Sequence, residues 1–305
     1  MMIHPSAIIH PKATLSPSVE VGPYVVIGEG VSVGEGTQIL AHSIIEGPKV
    51  VIGKNNVIGP HAHVRSHTQV GEGNRFLPFC VIGGEPQDLK FKGEESTLEI
   101  GSFNVFRESV TVNRGTAHGG GVTRVGNHNL IMAYAHVAHD CQIGNYVVMA
   151  NSVGLSGHVE IQDHAILGGL VGVSQFCRIG QFAYVGGCSS TDKDLPPFMI
   201  SAGAIRNDIS VRGVNAIGLK RHGVDLEDIR ALKEVYKLLY VSDLLFQEAL
   251  TIVKRQWLHI PQVKQLVEFI ESSTQGVVIR ERKSQRQPED QYCRDRSGIS
   301  GEVSR

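Results

Sequence analysis

The sequence predicts a mainly β protein, a parallel β-helix of six-residue repeats followed by a C-terminal α-helical domain. Three observations carry this expectation. An aliphatic residue recurs at every sixth position through most of residues 3–185. Glycine is abundant at 35 of 305 residues while aromatics make up 6%, a balance that suits tight repeated turns around a thin aliphatic core better than a doubly wound sheet. Near Pro196-Pro197 the period stops, and apolar residues reappear at helical spacing.

The repeat opens with Ile3, Ile9, Leu15, Val21, Ile27, Val33, Ile39 and Ile45, then resumes after a short slip with Ile52, Ile58, Val64 and Val70. Its longest unbroken run passes from Val125 through Ile131, Val137, Ile143, Met149, Leu155, Ile161, Leu167, Val173 and Ile179 to Val185. Neither a helix nor an alternating strand generates this spacing over such a length. If each hexad forms one flat side, three hexads close a coil of eighteen residues. The aliphatics then fill a narrow prism while the backbone bonds to the coils above and below. Glycine often follows the aliphatic, as in Ile27-Gly28 and Ile143-Gly144, where a small residue eases the corner.

Two stretches break the period, Gly84 to Glu99 and Arg114 to Arg124. They carry charge, glycine and histidine, and read as loops thrown out from the coils. The β-helix is expected to span 1–200 and the helical domain 201–279. Within that domain Ile229, Leu232, Tyr236 and Leu239, then Leu244, Leu245, Leu250 and Val253, then Val263, Leu266, Val267 and Ile270 mark amphipathic helices. Residues 280–305 are charged and polar, the composition of a disordered tail.

A formal net charge of −1 gives no general attraction to nucleic acid or an anionic membrane, so neither is an expected partner. The five cysteines, Cys80, Cys141, Cys177, Cys188 and Cys293, are odd in number and lack CxxC spacing, which points to reduced thiols in the cytoplasm. The hexads begin without a charged and apolar leader, and no apolar run approaches membrane-spanning length. A soluble, unprocessed chain is expected.

Histidines gather where the repeat is most regular, at His136, His139 and His158. With eighteen residues per coil, His139, Gly157 and Gln175 fall in one column, and Asp140 sits beneath His158. This places a candidate general base beside a glycine whose backbone N–H can approach a substrate oxygen, the two parts that acyl transfer needs. His42, His61, His63, His67, His128 and His164 are expected as solvated or hydrogen-bonded surface groups. A zinc site between subunits, as in γ-class carbonic anhydrases, is the competing reading, but the sequence specifies no nearby third ligand. No metal or other cofactor is expected.

Several segments together resemble the UDP-N-acetylglucosamine O-acyltransferase family of lipid A biosynthesis. They are Ile82 to Glu94 with its GGEPQDLK loop, Arg107 to Thr111, the HVAHD stretch from His136, Gln175-Phe176-Cys177, Gly186 to Ser189 and Gly218-Leu219-Lys220-Arg221. The resemblance implies a left-handed parallel β-helix of hexapeptide repeats, a homotrimer, and transfer of a (3-hydroxy)acyl chain from acyl carrier protein to the 3-hydroxyl of UDP-N-acetylglucosamine. It implies His139 as base, Asp140 as its partner and the Gly157 amide as oxyanion donor. By the same matching Asp88 and Lys90 reach the sugar and phosphates, and Gln87, His136, His158 and Gln175 line the substrate groove. Gly187 matches the position that sets acyl length, and Asn113, Asn215 and Arg221 match nucleotide and sugar contacts. Lys220-Arg221-His222 and Lys254-Arg255 are candidates for docking the acidic carrier protein.

The chain departs from the family pattern at Asn113 and Ser174, where histidine is usual, at Ile217 in place of an acidic residue, at His222 in place of arginine, and in a longer segment over 204–213. These changes touch the acceptor contacts and spare the base. N-acylation of an amino-sugar nucleotide therefore stays open as an alternative, as does a non-catalytic paralogue that binds carrier protein or sugar nucleotide.

Overall fold

The computed structural model describes residues 2–203 and 209–279. Residues 204–208, inside the longer segment, and the predicted tail 280–305 with Cys293 lie outside the described residues.

Each hexad contributes a two-residue strand, and successive strands stack on three faces. Among the described residues the faces hold twelve, ten and nine strands, parallel except for one final antiparallel pair. The arithmetic of eighteen holds through the regular coils, where His136 pairs with Gly154 and Gly154 with Gly172. The slip after Ile45 shifts the register once, so that Ser32 pairs with Val51. The first excursion leaves after Val81–Gly84 and returns at Thr97–Ile100; the second leaves after Thr111–Asn113 and returns at Val122–Val125. Gln69 therefore pairs with Glu99, and Leu98 with Thr123.

The recurrent aliphatics are buried from Val21 onward, whereas Ile3 remains 40% exposed because no coil among the described residues lies beneath it. From Val19 onward each hexad also buries a second residue two positions before the aliphatic, which the six-residue pattern alone did not reveal. Val19, Val25 and Val31 occupy it, and so do Cys80, Cys141 and Cys177. Burial pushes those three thiols up to about 12, so they behave as small apolar groups. Asn56, Asn74, Asn104 and Asn129 fill the same position on consecutive coils. Asn74, Asn104 and Val147 each donate a backbone N–H to the asparagine Oδ1 one coil earlier, at 2.7–2.9 Å, so these buried amides are satisfied along the axis. Gly28 has a different reason to be bare, since a Cβ there would lie 2.6 Å from the Gly47 nitrogen of the next coil.

The prism's widest side chains are Phe76 and Phe106, stacked 4.9 Å apart between centroids and fully buried. Phe106→Ala should leave a cavity that flat strands cannot close, at a cost of about 3–5 kcal/mol. Urea unfolding monitored by circular dichroism checks this, and a loss below about 1 kcal/mol would mean that the coil collapses around the gap.

The strands continue past residue 200, through Met199–Ala202 and Ser210–Val214, before the first helix starts. The helices are α1 (Ala216–Arg221), α2 (Leu226–Tyr236), α3 (Phe246–Trp257) and α4 (Pro261–Glu271). A π-helical turn over Lys237–Val241 follows α2. Leu244 and Leu245, read from sequence as part of an amphipathic helix, are 40% and 54% exposed because they lie in the α2–α3 connection. Arg178 ties α4 to the last coils, bonding Asp194 and the Phe269 carbonyl while stacking on the Phe269 ring.

Candidate active site

His139, Gly157 and Gln175 lie at the same corner on successive coils and line one groove of about 460 Å³. The outward positions on the adjoining face, His136, Gly154, Gly172 and Ser190, form its floor. Three small residues above a histidine leave the groove open, and the two floor glycines were not singled out in the sequence because nothing marks outward hexad positions as special. A larger trough of about 1030 Å³ crosses the third face, past Glu99, Arg124, Gln142 and Glu160. It shares no residue with the groove and none of the histidines line it.

His139 and Asp140 are both buried, and the imidazole Nδ1 is 2.8 Å from Asp140 Oδ2. A carboxylate only accepts, so Nδ1 carries the proton and Nε2 keeps its lone pair. The ring lies against Gly157, where an added Cβ would be 2.4 Å from Cε1 and 2.7 Å from Nε2. The Gly157 N–H donates to no group among the described residues. A proton acceptor and a free amide donor therefore occur side by side in a cleft, which is the requirement for adding an oxygen nucleophile to a carbonyl.

His158 stands above Asp140, with Nε2 3.7 Å from Oδ2, and its ring stacks on Phe176. The ring nitrogens of His139 and His158 and the Asp140 carboxylate lie within 4.8 Å of one another, which supplies the third ligand that the sequence had not specified for a zinc reading. Asp140 Oδ2, however, already accepts a hydrogen from Thr116 Oγ1 and faces the His139 proton, so a cation there would have to displace both.

Residues of both excursions reach this centre. Asp88 accepts the Lys90 N–H, which holds its carboxyl below the usual carboxylate range, and its Oδ2 is 3.2 Å from His118 Nε2. Thr116 bonds Asp140, and Gln87 lines the groove while Lys90 is exposed. His118 and Thr116 were missed in the sequence, since a loop without a period carries no signal of what it will touch.

Asn113 takes another place. It is buried and donates Nδ2–H to the Glu85 carbonyl, pinning the root of the first excursion together with Arg114, whose guanidinium covers Phe91. Asn215 is also occupied, capping α1 through Gly218 N–H and donating to the Phe182 carbonyl. Arg221 ends α1 and is exposed; Gly187 lies exposed at the corner that leads into Ser190–Thr191. His222 closes a corner stack of His164 and Phe182 rings, and Lys254 pairs with Glu271.

The six histidines expected as surface groups have structural partners. His42 and His61 stack between Tyr24 and Phe79, and His128 and His164 stack with Phe103, Tyr146 and Phe182 at centroid spacings of 4.5–5.1 Å, close to the strand spacing. His63 pairs with Glu46, and His67 lies 3.9 Å from Glu95.

Burial holds His136 and His158 below the ordinary histidine pKa; His139 adds to this at His136, and Asp140 opposes it at His158. As pH falls through the ordinary range the unfolded chain binds protons that the folded chain refuses. Stability is thus complete above about pH 6.5 and declines toward the lowered folded values. Tm should fall between about pH 7.5 and pH 5.5, and less steeply in His136→Gln; parallel curves would show that His136 is not one of the groups responsible.

Comparison with known proteins gives consistent matches. A family model described as "Udp N-acetylglucosamine O-acyltransferase; Domain 2" matches residues 194–278, and a bacterial transferase hexapeptide model matches 123–157. An acyl-[acyl-carrier-protein]–UDP-N-acetylglucosamine O-acyltransferase of Rippkaea orientalis is 57% identical over 208 residues, covering 68% of this chain and 73% of the relative. The Synechocystis protein of the same name is 48% identical over 205 residues, covering 67% and 72%. The crystal structure of a UDP-N-acetylglucosamine acyltransferase from Bacteroides fragilis superposes with a TM-score of 0.78 at 41% identity, covering 91% of this chain and 100% of that one.

Proposed function

The chain belongs to the acyl-[acyl-carrier-protein]–UDP-N-acetylglucosamine O-acyltransferase family, and from that premise we propose that His139 is the general base of the transfer, with Asp140 and the Gly157 amide as its partners. The left-handed β-helix carries out the acyl transfer to UDP-N-acetylglucosamine that begins lipid A biosynthesis. The observation that carries the residue assignment is the buried His139–Asp140 pair whose Nε2 side borders the groove beside an N–H without a partner among the described residues.

His139 Nε2 accepts the proton of the sugar 3-hydroxyl as its oxygen attacks the thioester carbonyl carbon. A C–O bond forms, and the oxyanion is held by the Gly157 N–H. Collapse breaks the C–S bond, and the imidazolium returns the proton to the carrier thiolate. Asp140 holds the imidazole in the required tautomer and balances its transient charge. Asp88, Lys90, Gln87, His136, His158 and Gln175 bind the sugar nucleotide, Lys90 as a point charge for phosphate. Gly154 and Gly172 leave room along the floor, and Gly187, bare at the far corner, lets a longer acyl chain pass.

The working unit is a cytoplasmic homotrimer in which neighbouring protomers complete the groove. Ile8, Val26 and Ile44 support this, because they stand outward and at least 36% exposed on the lower part of the face that bears the groove, an apolar strip that a second copy would cover. Arg221, exposed at the end of α1, reaches substrate in this assembly, and with Lys220 it meets the acidic carrier. No helix among the described residues is long and apolar enough to cross a membrane.

The test is mass analysis of products from a panel of acyl carrier protein thioesters with UDP-N-acetylglucosamine and with its 3-amino analogue. An ester on the first acceptor is expected; amide on the second with no ester on the first would overturn the acceptor assignment.

A further inference from the structure

We propose that Thr116, with the bare Cα of Gly119, forms a socket that positions the Asp140 carboxylate and through it the His139 ring, which makes Thr116 a positioning residue for the transfer. This rests on His139 being the base.

A buried carboxylate is costly unless its oxygens are satisfied. Asp140 is 5% exposed and Thr116 fully buried. Thr116 supplies two of the donors, its N–H to Oδ1 at 2.9 Å and its Oγ1–H to Oδ2 at 2.6 Å. The Thr116 oxygen in turn accepts the Gly119 N–H at 3.2 Å. The donors therefore run in one sense, from Gly119 to Thr116 to Asp140, and meet the His139 Nδ1–H on the same carboxylate. Such a chain polarises its members together and leaves the imidazole's other nitrogen as the only one free to accept. The Asp140 backbone is held as well, since its N–H donates to Thr123 Oγ1 at 2.7 Å where φ is 61°.

Gly119 gives an independent sign of the socket. In the run Gly119-Gly120-Gly121, the second and third have φ of 94° and 81° and need glycine for that reason. Gly119 has no such need, sitting in a short 3-10 turn. Its Cβ would instead fall 2.1 Å from Asp140 Cγ. The second excursion thus closes over the carboxylate. The other charged and titratable groups that face the pair are Asp88 and His118 from the excursions, His136 from the same coil and His158 from the next.

Thr116→Val keeps the shape and the backbone donor but removes the hydroxyl. In the full-length protein it should lower kcat about tenfold with KM for UDP-N-acetylglucosamine little changed, and Thr116→Ser should restore kcat. The downfield proton NMR signal of His139 Nδ1–H should weaken in the valine variant and persist in the serine one. Wild-type kcat with an unaltered Nδ1–H signal in Thr116→Val would overturn the proposal. If that variant folds poorly, Gly119→Ala serves instead, because it presses on the carboxylate without deleting a donor; unchanged kcat and signal there would be equally fatal. Unchanged turnover in a His139 variant would defeat the base assignment alone, since the NMR signal reports the socket without turnover.

Discussion

Replacing His139 by alanine is expected to lower kcat by about 10²–10⁴-fold, with the β-helix still folded. The imidazole borders the groove with its Nδ1 committed to Asp140, which leaves Nε2 to accept a proton from the substrate. Its removal takes away the proton acceptor and leaves the attacking hydroxyl to bulk water. Asp140 keeps both Thr116 donors in the variant, so the carboxylate is not stranded and the loss of stability should stay near 1 kcal/mol. Steady-state kinetics with an acyl carrier protein thioester, alongside thermal melts, separates these effects. Turnover at the wild-type rate would remove His139 from the chemistry.

Gly157→Ala should be nearly as damaging, although it adds a single methyl group. That carbon would stand 2.4 Å from His139 Cε1 and 3.0 Å from Nδ1, so either the ring turns out of line or the coils part. Moving a catalytic group by about 1 Å can cost on the order of 10²-fold, and the same methyl crowds the approach to the Gly157 N–H proposed to hold the oxyanion. The backbone itself does not need glycine here, since Gly157 is absent from the left-handed residues that include its neighbour His158 at φ 62°. A fall in kcat of about 10²-fold with little change in Tm is therefore expected. A normal kcat with a lowered Tm would show that the coil yields and the imidazole does not.

The two variants act on one column of the prism, and that column could be read from the chain before any coordinates. Once an inward aliphatic recurs every six residues, each residue's vertical neighbour follows from its number. His139 under Gly157 and Asp140 under His158 need nothing else. The same local logic placed the excursions, because a loop announces itself where the period fails. It did less well where neighbours are set by sequence-distant packing. Nothing in the sequence signalled that Asn113, matched to a substrate contact, holds a loop root, or that Asn215 caps α1 and bonds the Phe182 carbonyl within its own chain. Leu244 and Leu245 fit a helical stripe that the turn after α2 interrupts.

The sequence by itself determined the coil, the inward core, the column that holds His139 and Gly157 and, through its motifs, the family. Those features repeat, and a repeat fixes contacts through short-range spacing and burial. Only the tertiary structure decided that Thr116 and Gly119 close on Asp140, that His118 meets Asp88, and that glycines pave the groove floor. These contacts join aperiodic loops to ordered coils, and where such a loop returns depends on the whole backbone path and on the charge it must satisfy.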